Sequence, residues 1–292
     1  MPDRSVRVVV HDTALVAESP MWSAERESLY WLDGRRDAVY RLNTRDGTRS
    51  EWATPSKVNG LALASGGLIV AMKSGIALLD TSSGTFERIA EPERGNARMR
   101  MNDAKLDRAG RFWFGSMEDD GAAPIGRIFV LAGDGTLRVA DEGFTIPNGF
   151  AWSPDNRRMY LADSKLRAIY QYDFDLETGT ARNRRPFVAT VPLGAPDGAT
   201  TDAEGYLWSA CLGAFALARY APDGSVDRTV ELPVERPTSV MFGGPELKTL
   251  FVTTASRALS PEALAAQPLA GAVLAIDVDV PGLPEPVFTA FP

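Results

Sequence analysis

The chain carries the same pattern six times. Strand-like segments appear as LYWLD (29–33), LIVAM (68–72), RFWFGSM (111–117), RMYLAD (158–163), YLWSAC (206–211) and TLFVTTA (249–255), and their starts lie 39, 43, 47, 48 and 43 residues apart. Most follow a turn, as in ASGG, DRAG and DAEG, and most precede a second run and a further turn, as in GIALLDTSSGT and GRIFVLAGDGT. Each period therefore supplies about four short strands separated by Gly, Asp, Ser and Pro. A period of roughly 40–50 residues made of four strands is what a β-propeller blade requires. The expected fold is all-β: one domain over 1–292, a six-bladed propeller with four-stranded blades around a central channel. One short strand, VRVVV (6–10), is left over. It is expected to close the ring on the last blade near PVFTAF (286–291), hiding an edge that would otherwise invite aggregation. The segment SPEALAAQ (260–267) reads as a helix inserted in blade six, with Ser260 as cap and Pro261 at its first position.

The repeats can be placed in register. The segments just before each first turn are ESPMWS (18–23), NGLALA (59–64), NDAKLD (102–107), NGFAWS (148–153), DGATTD (197–202) and TSVMFG (238–243). Their small and apolar alternation suits the innermost strand of a blade. Their heads, Glu18, Asn59, Asn102, Asn148, Asp197 and Thr238, then meet around one axis at one mouth. The Asn-Gly and Asp-Gly pairs, which elsewhere mark hairpin turns, are expected here at strand starts, where glycine lets backbones crowd together. Buried charge must be paired or coordinated, so a ring of this composition points to bound ligand chemistry. Thr238 is expected to be structural.

Other chemistries are poorly supplied. The chain has 292 residues, a net charge of -7, one histidine and one cysteine. The acidic balance disfavours a nucleic-acid partner. No apolar run is long enough to cross a bilayer, and the expected location is the cytoplasm. One histidine, His11, rules out a two-histidine zinc motif, and no GxSxG elbow accompanies it. Cys211 is expected to be a buried small apolar group. A metal would thus be held by oxygen, which favours Ca²⁺, Mg²⁺ or Mn²⁺. DFDLETG (173–179) begins like a calcium loop, but Thr178 and Arg184 stand where glycine and glutamate are needed. EDDG (118–121) is either a solvated loop or a lid bringing Glu118 or Asp120 to a substrate.

The motifs ESPMW, RMNDAKLDRAGRFWFGSM, PNGFAWSPDNRRMYLADS, PDGATTDAEGYLWSA and FGGPELKTLFVTTA together resemble the gluconolactonase/regucalcin family, the senescence-marker-protein-like lactonases, over nearly the whole chain. The ending LSPEALAAQPLAGAVLAIDVDVPG looks most like the bacterial sugar-lactonase branch. The resemblance implies a six-bladed propeller that holds one divalent cation and hydrolyses sugar lactones, such as glucono-, xylono- or arabinono-lactone, to aldonic acids. Calcium is the first expectation, with magnesium, manganese, zinc or Fe(II) as alternatives. Carried over by motif, the metal ligands would be Glu18, Asn148 and Asp197, and Asp197 would also be the catalytic base or nucleophile. Arg100 and Asn102 match the substrate-binding pair. Asp120 is the loosely matched acidic contact, and Asn59 joins the set from the register. The family commonly has Gly-Glu-Gly-Pro where this chain reads AESP, with Ala17 and Ser19, so a small change in local packing around an intact ligand is expected.

The partner implied is a small sugar lactone. Three other readings stay open from sequence: a metal hydrolase of phosphotriesters, a non-catalytic calcium-binding regulator, and a propeller serving only as an interaction platform.

Overall fold

The computed structural model describes residues 6–290. Six four-stranded antiparallel sheets form in it, and five of them use four consecutive strands. The innermost strands are Ala17–Ser23, Val58–Ala64, Met99–Leu106, Pro147–Trp152, Ala195–Thr201 and Pro237–Gly243. Each packs on the innermost strands of the blades before and after it, the sixth returning to the first, so the sheets close into a ring. The chain is a six-bladed β-propeller.

Ring closure falls on the last blade, as expected, but on a different segment of it. Strand Arg7–Val10 pairs antiparallel with Val273–Asp277, the third strand of blade six, with Arg7 opposite Ala275 and Val8 opposite Leu274. Of the stretch 286–291, residues 286–290 do not take part, and residue 291 lies outside the described residues. Phe288 instead makes a parallel bridge to Ala64 and is buried against blades one to three. The pattern of PVFTAF suits a strand, but Phe288 finds a buried site beneath the channel while Val287 stays exposed. The helix forms as expected over Pro261–Ala266, and Ser260 Oγ accepts from Ala263 N at 3.2 Å.

The core lies between blades. Apolar clusters fill the gaps from blade six to one, through blades one to three, and from three to four, four to five and five to six. The second strands of the blades supply Trp31, Trp113, Tyr160 and Trp208 to them. In blades three and five an aspartate six residues ahead anchors the tryptophan. Trp113 Nε1 and Trp208 Nε1 each donate at 2.9 Å, to Asp107 and Asp202 respectively.

All innermost strands run in the same direction, which gives the channel two distinct ends. At the end where they finish, the stretch from Gly282 to Phe288 crosses from blade five to blade two, bridging Asp202 and then Ala64. Beneath it the buried Lys105 spans the channel from blade three to blade five. Its Nζ donates to Ala199 O at 3.3 Å and Thr200 Oγ1 at 3.2 Å, with Glu285 at 3.8 Å. The far end is thus covered, and a small molecule has to approach from the end where the innermost strands begin.

Candidate active site

At that mouth every innermost strand slips register against its neighbour. The irregularities fall at Glu18–Met21, Val58–Gly60, Met101–Ala104, Asn148–Ala151, Pro196–Ala199 and Pro237–Ser239. Such bulges break pairing and re-aim side chains. They coincide with the six positions in the polar ring.

Glycine after the ring residue relieves crowding between blades. A Cβ on Gly198 would stand 2.0 Å from Ser239 Oγ, and one on Gly60 would stand 2.6 Å from Ala104 Cβ. Ser19 takes the corresponding place in blade one with φ of +51°, a left-handed conformation that glycine adopts more easily, and its buried Oγ has no partner among the described residues.

Glu18, Asp197 and Thr238 face one cavity of about 270 Å³. Asn102 and Asn148 join them through a chain of hydrogen bonds. Arg100 Nη1 donates to Asn102 Oδ1 at 2.7 Å, and Asn102 Nδ2 donates to Asn148 Oδ1 at 2.8 Å. Asn148 Nδ2 donates to Ser164 Oγ at 2.7 Å, and Ser164 Oγ donates to Pro196 O at 2.6 Å. The chain fixes the Asn148 amide with its nitrogen turned away on Ser164 and its oxygen toward Asn102. Asn59 is buried at the matching position, and its Nδ2 has no partner among the described residues.

A shared device holds this geometry. The carbonyls of Ala17, Pro147 and Pro196 immediately precede Glu18, Asn148 and Asp197. Each accepts from a side chain of the preceding blade: Thr238 Oγ1, Asn102 Nδ2 and Ser164 Oγ. The structural role expected of Thr238 is visible here, since its hydroxyl ties blade six to the residue before Glu18.

The electrostatics are unfavourable for a protein with no ligand. Burial, then the nearby Asp103, pushes the Glu18 carboxyl up to about 8, and Arg100 and Arg35 only partly offset this. Burial, then Glu18 and Asp103, raises Asp197 well above the usual carboxylate range. Asp103 is itself raised by burial, although Gly149 N at 2.7 Å and Ala104 N at 2.9 Å donate to it. Among the described residues no hydrogen bond or ion pair reaches the Glu18 carboxylate. Like charges this close disfavour one another's ionised form unless a cation joins them.

The donor set fits a hard divalent cation: two carboxylates and a pinned amide oxygen, with no imidazole or thiolate. Among the described residues no three His, Cys, Asp or Glu side chains form a ready cluster, so a cation here would need Asn148 beside Glu18 and Asp197. His11 is at the surface with Nε2 3.3 Å from Pro268 O, and Cys211 is buried, its thiol pushed up to about 12 by burial.

The EDDG segment divides its acids differently from the expectation. Asp120 is exposed and caps Ala122 N at 3.1 Å. Glu118 pairs with Arg98 and accepts from Ala123 N at 3.0 Å. Asp119 is the acid that meets the site, 3.3 Å from Arg100 Nε and hydrogen-bonded by Lys57 at 3.1 Å and Lys73 at 2.8 Å. Desolvation raises its pKa, but the two lysines outweigh it and bring it to about 2. DFDLETG is no calcium loop: Asp173 to Asp175 end the strand Ala168–Asp175 with Phe174 buried, and the turn is confined to 176–179, where Asp175 accepts from Glu177 N and Thr178 N.

Sequence reasoning missed Asp103, Asp119, Lys57, Lys73 and Ser164. The signal was present in the register. In an antiparallel blade the mouth receives the end of the second strand as well as the start of the first. Lys73, Asp119 and Ser164 follow second strands Gly67–Met72, Phe112–Glu118 and Arg158–Asp163 directly, and Lys57 immediately precedes Val58.

Comparison with known proteins gives consistent results. Residues 16–256 match the family model described as the SMP-30/gluconolactonase/LRE-like region. A 6-deoxy-6-sulfogluconolactonase of Pseudomonas putida is 36% identical over 289 residues, covering 98% of this chain and 99% of that protein. A pentonolactonase of Haloferax volcanii is 33% identical over 294 residues, covering 96% and 97%. The crystal structure of a calcium-binding protein, regucalcin, from Agrobacterium tumefaciens superposes with a TM-score of 0.94 at 28% identity, covering 98% of this chain and 97% of that one.

Proposed function

The chain belongs to the SMP-30/gluconolactonase/LRE-like family, and from that premise we propose that it is a sugar lactonase that opens an aldonolactone to the aldonic acid with a divalent cation held by Glu18, Asn148 and Asp197. The observation that carries this reading is a pair of carboxylates, the half-buried Glu18 and the buried Asp197, facing one cavity, with Glu18 raising the pKa of Asp197. The named activities of the Pseudomonas and Haloferax relatives support the substrate class. The regucalcin neighbour, a calcium-binding protein by name, supports calcium as the first cation to try.

A bound divalent cation would polarise the lactone carbonyl and stabilise the negative charge that develops on its oxygen. The rest falls to the protein. Asp197 takes the proton of an attacking water. The water oxygen bonds to the carbonyl carbon, the ring C–O bond breaks, and the proton passes from Asp197 to the departing ring oxygen. Arg100 has Nη1 fixed on Asn102 and Met101 O and Nε beside Asp119, leaving Nη2 for substrate oxygens. Asn102 and Asn59 hold sugar hydroxyls. Covering the far end of the channel with Gly282 to Phe288 keeps bulk water from reaching the site from behind.

The test is a pH-indicator screen of glucono-, xylono-, arabinono- and galactono-lactones on chelator-stripped protein, with each cation added back. Hydrolysis that disappears on stripping and returns with a cation is the expected result. Cation binding with no hydrolysis of any lactone would overturn the lactonase reading.

A further inference from the structure

Three guanidinium groups share the cavity of Glu18 and Asp197. Arg35, Arg236 and Arg257 line it together with an apolar wall that includes Val16, Leu212 and Ala255. All three arrive by the logic of the blade mouth. Arg35 lies just past the second strand of blade one, Ser28–Asp33. Arg257 lies just past that of blade six, Thr249–Thr254, and Arg236 immediately precedes Pro237.

These three differ from the other cations at the mouth. Arg98 is paired with Glu118, and Lys57, Lys73 and Arg100 converge on Asp119. No side-chain hydrogen bond or ion pair is made by Arg35, Arg236 or Arg257 among the described residues, and the Arg236 Nε is buried without a partner. Among the described residues no acidic side chain is hydrogen-bonded to or ion-paired with these groups. Glu18 feels Arg35, and Asp197 feels Arg236, only through space. Arg35 and Arg257 also oppose the charge of Arg100, which burial first holds below the usual guanidinium range.

A charge count shows what is missing. Glu18, Asp197 and the nearby Asp103 bring three negative charges against three guanidiniums. A divalent cation on the carboxylates would cancel two of them and leave one against three arginines. A neutral sugar has nothing to offer them. Guanidinium forks match the oxygens of sulfonate, phosphate and carboxylate, and an apolar wall strengthens such contacts by reducing screening.

We infer that the substrate is an aldonolactone bearing an anionic group, a sulfonate, phosphate or carboxylate, on the carbon chain away from the lactone carbonyl, and that Arg35, Arg236 and Arg257 hold that group. The inference rests on the lactonase reading of the same site.

The test compares gluconolactone with its 6-phosphate, its 6-deoxy-6-sulfonate and the corresponding 6-carboxylate, at low and high salt. At least one anionic lactone is expected to exceed the neutral one in kcat/KM by about tenfold or more, each tenfold being a 1.4 kcal/mol difference. The gain is expected chiefly in KM and to shrink as salt screens it. In Arg35→Gln, Arg236→Gln and Arg257→Gln the anionic-to-neutral ratio falls toward one, and Arg257→Lys recovers part of it. The arm with the largest ratio identifies the anion. Calorimetry with the open-chain acids supplies a second readout that needs no turnover: the doubly anionic acid binds more tightly than gluconate, and the preference is lost in Arg257→Gln. Lactone hydrolysis that favours the neutral substrate, with equal binding of both acids, overturns the inference and leaves the lactonase reading intact. An anion preference in calorimetry with no lactone hydrolysed supports the anion site and overturns the lactonase reading.

Discussion

Asp197 and Asp202 sit at the two ends of one innermost strand, both buried, in opposite electrostatic circumstances. Asp202 accepts from Trp208 Nε1 at 2.9 Å, Arg219 Nε at 2.8 Å and the amides of Glu204 and Tyr206. Asp197 faces Glu18 and Asp103 and is driven toward its protonated form. Blade three repeats the contrast within five residues. Asp107 is bound by Trp113, Arg111 and two amides, whereas Asp103 receives two amides and still has its pKa raised. One end of the channel is built for stability, with every buried charge answered. The other end carries buried charge that the protein does not answer, which is stability given up to make a site.

The widest separation of the two ends comes from matched substitutions. Asp197→Asn removes the base and should lower lactone turnover by roughly 10²–10⁴-fold, the contribution of a positioned general base. The same change removes an unanswered charge, so the cation-free melting temperature should rise. Near-normal turnover in this variant would exclude Asp197 as the base. Asp202→Asn is expected to do the reverse. It removes one of the three carboxylates on Arg219, leaving Glu204 and Asp227, and leaves the bonds from Trp208 and two amides weakened, at a cost of about 1–3 kcal/mol in denaturant unfolding, while turnover per folded molecule stays within about twofold. A loss of activity without a loss of stability would erase the distinction between the ends.

The pH dependence sharpens the comparison. A carboxyl whose folded pKa lies above its unfolded value keeps a proton in the folded chain that the unfolded chain has released. With Glu18 raised from 4.5 to about 8, the cation-free protein should lose stability as pH rises through that window. A divalent cation, which binds the ionised form, should restore stability most at the alkaline side and release protons on binding. Melting curves in chelator from pH 5 to 8 read this directly, and a rising curve would contradict the assignment. The smallest expected effect is that of Ser164→Ala, which frees the Asn148 amide and the Pro196 carbonyl. Cation affinity should weaken by roughly tenfold, at the lower end of what a supporting residue contributes, with stability changed by about 1 kcal/mol.

The architecture was legible because a four-strand period recurs in plain sequence. The six ring positions were legible because five of the six blades place a polar residue and then a small one near the start of the innermost strand, and the sixth, with Asn102, keeps the same register. The ring closure was read on the wrong segment, since VRVVV can pair with any exposed edge and only packing decides that Val273–Asp277 presents it. Asp119 and Asp120 are neighbours of the same type, and a loop's choice between them follows from Lys57 and Lys73, which lie 62 and 46 residues away along the chain. Asp103 stayed hidden beside Asn102, because a sequence shows that two polar residues are adjacent but not that a bulge turns both inward.

The central claim is that Glu18, Asn148 and Asp197 converge on one cation. Anomalous diffraction from crystals grown with Mn²⁺ tests it most directly. The account predicts a single strong peak within coordination distance of the Glu18 and Asp197 carboxylates and the Asn148 amide oxygen, absent in Glu18→Gln. A peak elsewhere on the molecule, with that mouth vacant and hydrolysis retained, would contradict it.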